Sequence, residues 1–263
     1  MRKLVVIVFA SALIAGCSGS PAETETAATY SAGNYSAAIA DIARPAADRE
    51  RDAERKPGEL LAFAEIDRGE VVGDYIMGGG YVTRLLAIAV GSDGKVYAFQ
   101  PSEFIAFRPA YATEQDEAVA PYANEDGSPG HVLPVRAPVA APGFPEPLDT
   151  IITVMNLHDL FIPQMPDGTA DKAIKALFDA LKPGGKLVVV DHRALAGGGL
   201  EAADKLHRMD EQMAKDALTN AGFVLEAESD LYARPDDPRS ANVFDDSIRG
   251  KTDQFALRFV KPE

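Results

Sequence analysis

The stretch VVGDYIMGGGYVTRLLAIAVGSDGKVYAFQP, residues 71–101, sets a short apolar run, a glycine cluster, a helix-patterned run and a second apolar run in immediate succession. It reads as strand, loop, helix, strand. Asp74 closes the first strand, and Gly78, Gly79 and Gly80 form a turn whose missing Cβ atoms let backbone N–H groups approach a ligand closely. Residues 81–89 begin at Tyr81 with apolar side chains at helical spacing, and Gly91, Asp93 and Gly94 end that helix before the alternating strand 95–99. The unit is a βαβ opening.

Asp74, Gly78 and Gly80, spaced Asp-x-x-x-Gly-x-Gly after a strand, resemble the nucleotide-binding loop of class I S-adenosylmethionine-dependent methyltransferases. They do not match the stricter G-x-G-x-x-G dinucleotide fingerprint. The resemblance implies S-adenosylmethionine as cofactor, lying across Asp74, Gly78, Gly79, Gly80 and Tyr81, with Gln100 at its ribose and Asn156 at its methionine end. Two positions depart from the family pattern: Ile76 stands where a glycine is usual, and Gln100 where a carboxylate normally grips both ribose hydroxyls. An amide there offers neutral hydrogen bonds, roughly half as strong as charge-assisted ones.

Working outward toward the C-terminus, proline recurs through residues 101–147, which limits regular ladders because proline lacks an N–H. One strand, 131–135, stands out there, with a helix near 102–107 and an acidic loop near 114–117, and the region reads as a third strand set in loops that shape a substrate rim. LDTIITVM, residues 148–155, is a near-continuous apolar strand of the kind buried on both faces of a parallel sheet. An amphipathic helix over 170–181 and the strand 186–190 follow, with LKPGGKLVVVD resembling the fifth-strand entry of the same methyltransferases. A helix over 202–220, a strand over 223–228 and a last strand over 254–260 complete the alternation. The pattern predicts an α/β fold: a doubly wound, mostly parallel, seven-stranded Rossmann-like methyltransferase sheet with helices on both faces and an antiparallel edge strand.

Toward the N-terminus, Arg2 and Lys3 precede the apolar run 4–9 and a small-residue stretch ending at Cys17, the pattern of a signal sequence over residues 1–16. Ile14-Ala15-Gly16-Cys17 resembles a bacterial lipobox, which implies cleavage before Cys17, lipidation of Cys17, and anchoring on the periplasmic side of a membrane, with an outer-membrane sorting pattern at Ser18. The apolar run is too short to span a bilayer comfortably, which takes about 20 residues. Residues 17–36 are poor in large apolar side chains and read as a tether, so the folded domain is expected over 37–263. Residues 37–56 pattern as helix, and their charged block at 48–55 is either a solvated helical face or a lid over the cleft.

A net charge of −14 argues against nucleic acid as a partner, since phosphate neutralisation needs clustered lysine and arginine. With Cys17 the sole cysteine, the mature chain has neither an internal disulfide nor a thiolate zinc site. The expected partners are a small-molecule substrate and, through lipid alone, a membrane. DYIMGGGYVTRLL, NLHDL, VVVDHRA, LHRMDEQ and IRGKTDQF together resemble a bacterial group of exported methyltransferase-like proteins over most of residues 45–262.

Ligands of doubly wound sheets bind outside the carboxyl ends of the strands. Arriving there are Asn156, His158 and Asp159 after the fourth strand, Asp191 and His192 after the fifth, and His207 at a helix start. His158, Asp159, His192 and His207 are the candidate catalytic residues, with His158 or His192 as the base that deprotonates a methyl acceptor. The same three histidines with Asp159 or Asp191 are also chemically sufficient for a metal, although their spacing matches no local metal motif. A third reading gives each histidine only a hydrogen-bonding role. Residues 249–253 read as a structural turn. Cofactor and address pull apart, because S-adenosylmethionine is made in the cytoplasm, so a non-catalytic ligand-binding or envelope-interaction protein on the same scaffold stands as the alternative.

Overall fold

In the computed structural model, which describes residues 30–263, strands β1 (Val71–Tyr75) and β4 (Leu148–Val154) lie side by side at the centre of a seven-stranded sheet. Their apolar residues are covered on both faces: Val72, Ile151 and Ile152 are wholly buried. The order is β3-β2-β1-β4-β5-β7-β6, built from β2 (Lys95–Pro101), β3 (Val132–Ala137), β5 (Leu181–His192), β6 (Val224–Ser229) and β7 (Gln254–Val260). Every pairing from β3 through β5 is parallel, whereas β7 runs antiparallel to both β5 and β6. The antiparallel strand expected at the edge is therefore one place inside it, and β6 forms the edge. Strand order reverses direction between β1 and β4, so the ligand crevice of such a sheet opens above those two strand ends.

Ten helices accompany the sheet among the described residues: α1 (Ser36–Ala40), α2 (Ala46–Arg49), α3 (Asp52–Arg55), α4 (Pro57–Ala64), α5 (Tyr81–Val90), α6 (Ser102–Phe107), α7 (Ala110–Val119), α8 (Thr169–Ala180), α9 (Gly199–Leu206) and α10 (Glu211–Asn220). Two buried clusters hold the layers together. Ile174, Leu177, Leu218 and Phe223 belong to one, and Leu61, Leu85, Leu86 and Val90 to the other.

Several elements differ from the sequence expectation. The single helix over 37–56 is three short pieces, because Pro45 fixes an extended backbone before α2 and Lys56 turns left-handed (φ 43°) before α4. The end of the expected tether is folded: Tyr35 is buried and donates its hydroxyl to the Ile66 carbonyl (2.9 Å). The acidic loop near 114–117 is part of α7, whose Gln115 and Ala118 face inward. The helix over 202–220 is interrupted at His207, which takes a left-handed backbone (φ 51°), and restarts where Asp210 caps the backbone N–H groups of Gln212 and Met213. The signal sequence, Cys17 and the first part of the tether lie outside the described residues.

Candidate functional site

A cavity of about 830 Å³ opens above the reversal point. Each strand end contributes to it differently. β1 leaves the sheet through Ile76, whose buried, β-branched side chain sits on a left-handed backbone (φ 63°), a conformation glycine holds at far lower cost. Met155 turns the end of β4 in the same way (φ 62°). Asn156 ties the two ends together by donating its amide to the carbonyls of Ile76 (2.9 Å) and Val154 (2.8 Å). Its donors are thus committed, and its side-chain oxygen remains for the cavity it lines.

The glycine turn follows at once. A Cβ at Gly78 or Gly79 would meet no atom within 4 Å, so the turn presents open backbone. Gly78 also needs its positive φ of 55°, and Gly80, the N-cap of α5, is closed from behind, since a Cβ there would approach Ala118 to 2.6 Å. Asp74 does not reach the cavity. It is buried, accepts the Thr83 hydroxyl (2.5 Å) and so braces the first turn of α5, while burial pushes its carboxyl up to about 6 against that hydrogen bond. Gln100 is wholly buried at the end of β2 and neither polar atom of its amide has a partner among the described residues.

Tyr81 carries the turn into the cavity wall. Its hydroxyl donates to Asp52 (2.7 Å), and the guanidinium carbons of Arg44, Arg51 and Arg55 lie 5.4, 6.0 and 4.9 Å from its ring centre. The charged block at 48–55 is part solvated and part clamp: Arg49, Glu50, Arg51 and Glu54 are exposed, whereas Asp48 is buried and Asp52 and Arg55 are half-buried. Arg84 donates to Asp48 (2.7 Å) with both side chains nearly buried, and Arg44 pairs with Asp52 (2.6 Å), so the segment is clamped over the start of α5 as a lid. Arg55 lines the cavity without a carboxylate partner among the described residues. Burial, with Arg51 beside it, pulls it down to about 10.

Three of the predicted histidines converge at the other end. His158 is buried, and its Nδ1 meets the wholly buried Asp191 carboxylate (2.8 Å), which also accepts the backbone N–H groups of His158 (2.8 Å) and His192 (2.7 Å). Burial alone would pull His158 down, but the Asp191 charge and hydrogen bond outweigh it and hold the ring up at about 9. His192 is the opposite case: burial pushes it down to about 4, and its Nδ1 contacts the Thr252 hydroxyl (2.8 Å). Its neighbouring turn, expected to be structural, puts Arg249, Gly250 and Thr252 on the cavity wall. His207 sits at the end of α9 rather than at a helix start, its ring 5.5 Å from that of His158 and nearly perpendicular to it. Asp159 lies between them.

Among the sequence candidates, Tyr81, Asn156, His158, Asp159, His192 and His207 line the cavity, whereas Asp74 and Gln100 stand behind it and Gly78, Gly79 and Gly80 lead up to its wall at Tyr81 without lining it. Arg55, from the block read as a possible lid, also lines it, as do Phe104, Tyr111 and Gln254, which escaped the sequence reading. Phe104 and Tyr111 belong to the proline-rich region read as a rim; Phe104 sits on the expected helix, α6, and Tyr111 on α7, which replaces the expected loop.

The architecture that this cavity serves is the one shared by S-adenosylmethionine-dependent methyltransferase structures. A methyltransferase from Aquifex aeolicus superposes with a TM-score of 0.55 at 20% identity, covering 82% of this chain and 95% of that one. The N-methyltransferase NodS from Bradyrhizobium japonicum gives 0.53 at 16% identity, covering 81% and 97%. The [4+2]-cyclase SpnF gives 0.54 at 17% identity, covering 80% and 81%. No family model and no curated protein sequence matches this chain. At these identities the likeness establishes the fold.

Proposed function

We propose that the chain is an S-adenosylmethionine-dependent methyltransferase acting on a small-molecule acceptor. The observation that carries this reading is the open turn at Gly78 and Gly79, which leads directly into Tyr81 on the wall of the 830 Å³ cavity above the sheet's reversal point. A cavity of that volume suits a ligand of drug size or a cofactor together with a small acceptor. The residues present fit the donor: an open backbone turn, the uncommitted oxygen of Asn156, and, behind the wall, a buried amide at Gln100 whose polar atoms have no partner among the described residues. When bound, the donor supplies an electrophilic methyl group. The chain's part is to orient and enclose: Tyr81 and the clamped lid shield one end, and the histidine-lined end receives the acceptor.

The acceptor is a small molecule rather than a nucleic acid on electrostatic grounds, because a chain of net charge −14 repels phosphate. We further propose export through residues 1–16 and lipid attachment at Cys17. Calorimetric titration of the purified domain with S-adenosylmethionine and with its demethylated product tests the donor. Saturating ligand at a hundred times its Kd adds about 2.7 kcal/mol, a rise in Tm of roughly 5–10 °C. No heat and no thermal shift at millimolar ligand would overturn the reading.

A further inference from the structure

We propose that His158, Asp159 and His207 form a binding site for one first-row divalent transition-metal ion whose open coordination positions face the cavity. The inference stands on the polar cluster alone and does not depend on the donor.

The geometry supports it first. His158 Nε2 is 3.4 Å from Asp159 Oδ1, His207 Nδ1 is 3.8 Å from the same oxygen, and the three ligand atoms lie within 4.8 Å of one another. Ligands about 2.1 Å from a tetrahedral ion stand about 3.4 Å apart, so one ion can be reached with side-chain adjustment on the order of an ångström. These contacts are too long or too poorly aligned to be hydrogen bonds, and the Asp159 carboxylate accepts none among the described residues. It is a cavity-lining acceptor placed between two imidazoles and takes no hydrogen bond among the described residues.

The second line is the support behind the ligands. His158 gives its Nδ1 to Asp191, which fixes the ring with Nε2 on the side of Asp159, 3.4 Å from its Oδ1. Asp191 is in turn locked by two backbone N–H groups. A carboxylate behind an imidazole, itself held by hydrogen bonds, is the arrangement that orients metal-ligating histidines. His207 is held from the outside by the Phe244 ring, 4.9 Å away centre to centre. The backbone at His207 is left-handed, a conformation a histidine occupies at some cost. The ligands arrive from two elements, the turn after β4 and the end of α9, with the supporting Asp191 from β5.

The donor set selects the ion. Two imidazoles and one carboxylate suit Zn²⁺, Co²⁺, Mn²⁺ or Fe²⁺, whereas Mg²⁺ and Ca²⁺ prefer all-oxygen shells. Three protein ligands leave positions open to the cavity, where the ion can hold an acceptor through an oxygen or sulfur atom.

The test uses tag-free, metal-stripped protein and titrations with Zn²⁺, Co²⁺ and Mg²⁺ alone. One equivalent of Zn²⁺ is expected to bind, with Co²⁺ giving visible d–d absorption and Mg²⁺ giving no comparable heat. His207→Ala and Asp159→Asn, at half-buried positions that tolerate change, should each weaken Zn²⁺ binding at least tenfold while retaining the parent circular dichroism. Asp191→Asn should weaken it by roughly 10–100-fold. The proposal is overturned if neither ion binds, if Mg²⁺ matches Zn²⁺, or if both His207→Ala and Asp159→Asn keep parental affinity. Donor titration of stripped and loaded protein is read separately, so failure of either reading leaves the other standing.

Discussion

Ile76 shows how a single residue reports on the backbone beneath it. Its left-handed φ of 63° costs an L residue roughly 1–2 kcal/mol, yet its side chain is buried in the main core cluster. Replacing it removes packing worth about 2–5 kcal/mol, so both Ile76→Ala and Ile76→Gly should unfold at lower urea than the parent. Their order is diagnostic. At an ordinary position alanine is the more stable, but here Ile76→Gly should exceed Ile76→Ala by about 1 kcal/mol, and the reverse order would refute the strain. That Ile76 stands where the resembling loops carry a glycine was legible in the sequence; that it takes a left-handed backbone was not, because nothing in its neighbours encodes φ. Glu70 offers a second residue-scale check. Burial pushes its carboxyl up to about 7, with Lys186 opposing and Asp149 adding to the rise. The unfolded chain loses this proton near pH 4.3, so between there and 7 the native state holds more protons and stability falls as pH rises. Glu70→Gln should remove this loss, on the order of 1–2 kcal/mol between pH 5 and 7.5 by denaturant titration, and parallel pH profiles would reject it.

At the scale of elements, the lid formed by α2 and α3 depends on ions that do not look buried in the sequence. Charges at 48–55 fit a solvated helix by i, i+4 spacing, but the actual partners are long-range: Asp48 with Arg84 and Asp52 with Tyr81. Such pairs need the tertiary fold, and no local pattern distinguishes them. Breaking a buried pair leaves one charge uncompensated, at a cost of about 3–5 kcal/mol. Asp48→Ala should therefore lower Tm and loosen the α2–α3 backbone, with tryptic cleavage after Arg49, Arg51 or Arg55 at least tenfold faster. The double change Asp48→Leu with Arg84→Met should recover most of the loss, because it removes both charges. Unchanged proteolysis in Asp48→Ala would mean that the segment is held by other contacts. The break between α9 and α10 was more accessible. Asp210 before a helix-patterned run is an N-cap signal, and His207 looked like a helix start only because the interruption was not read there. The histidine cluster itself was legible, since strand ends of a parallel sheet bring their following residues to one crevice. Arg249 and Thr252 were not, because the turn preceding β7 reaches the cavity only through the late antiparallel pairing.

For the whole molecule, alternation of apolar runs and helices was enough to specify the parallel half of the sheet, and failed only in placing β7 one position inside the edge. The same scale governs how the protein meets a membrane. No helix among the described residues is long and apolar enough to cross one. A chain of net charge −14 is also repelled by anionic lipid, where each basic residue near the surface contributes about 1 kcal/mol of attraction and acidic ones the opposite. Peripheral electrostatic adhesion is thereby disfavoured, and the proposed anchoring falls to lipid on Cys17. Two acyl chains hold a protein far more firmly than one, whose binding alone is marginal and reversible. Expressed from its full sequence in a bacterial host, the protein should sediment with membranes and resist a 1 M salt wash, a roughly 3 Å Debye length that removes electrostatically bound proteins. Cys17→Ser should transfer it to the soluble or signal-retained fraction, while the folded domain keeps its Tm because Cys17 precedes every described residue. An unchanged membrane fraction with a cleaved N-terminus in Cys17→Ser would place the attachment elsewhere on the molecule.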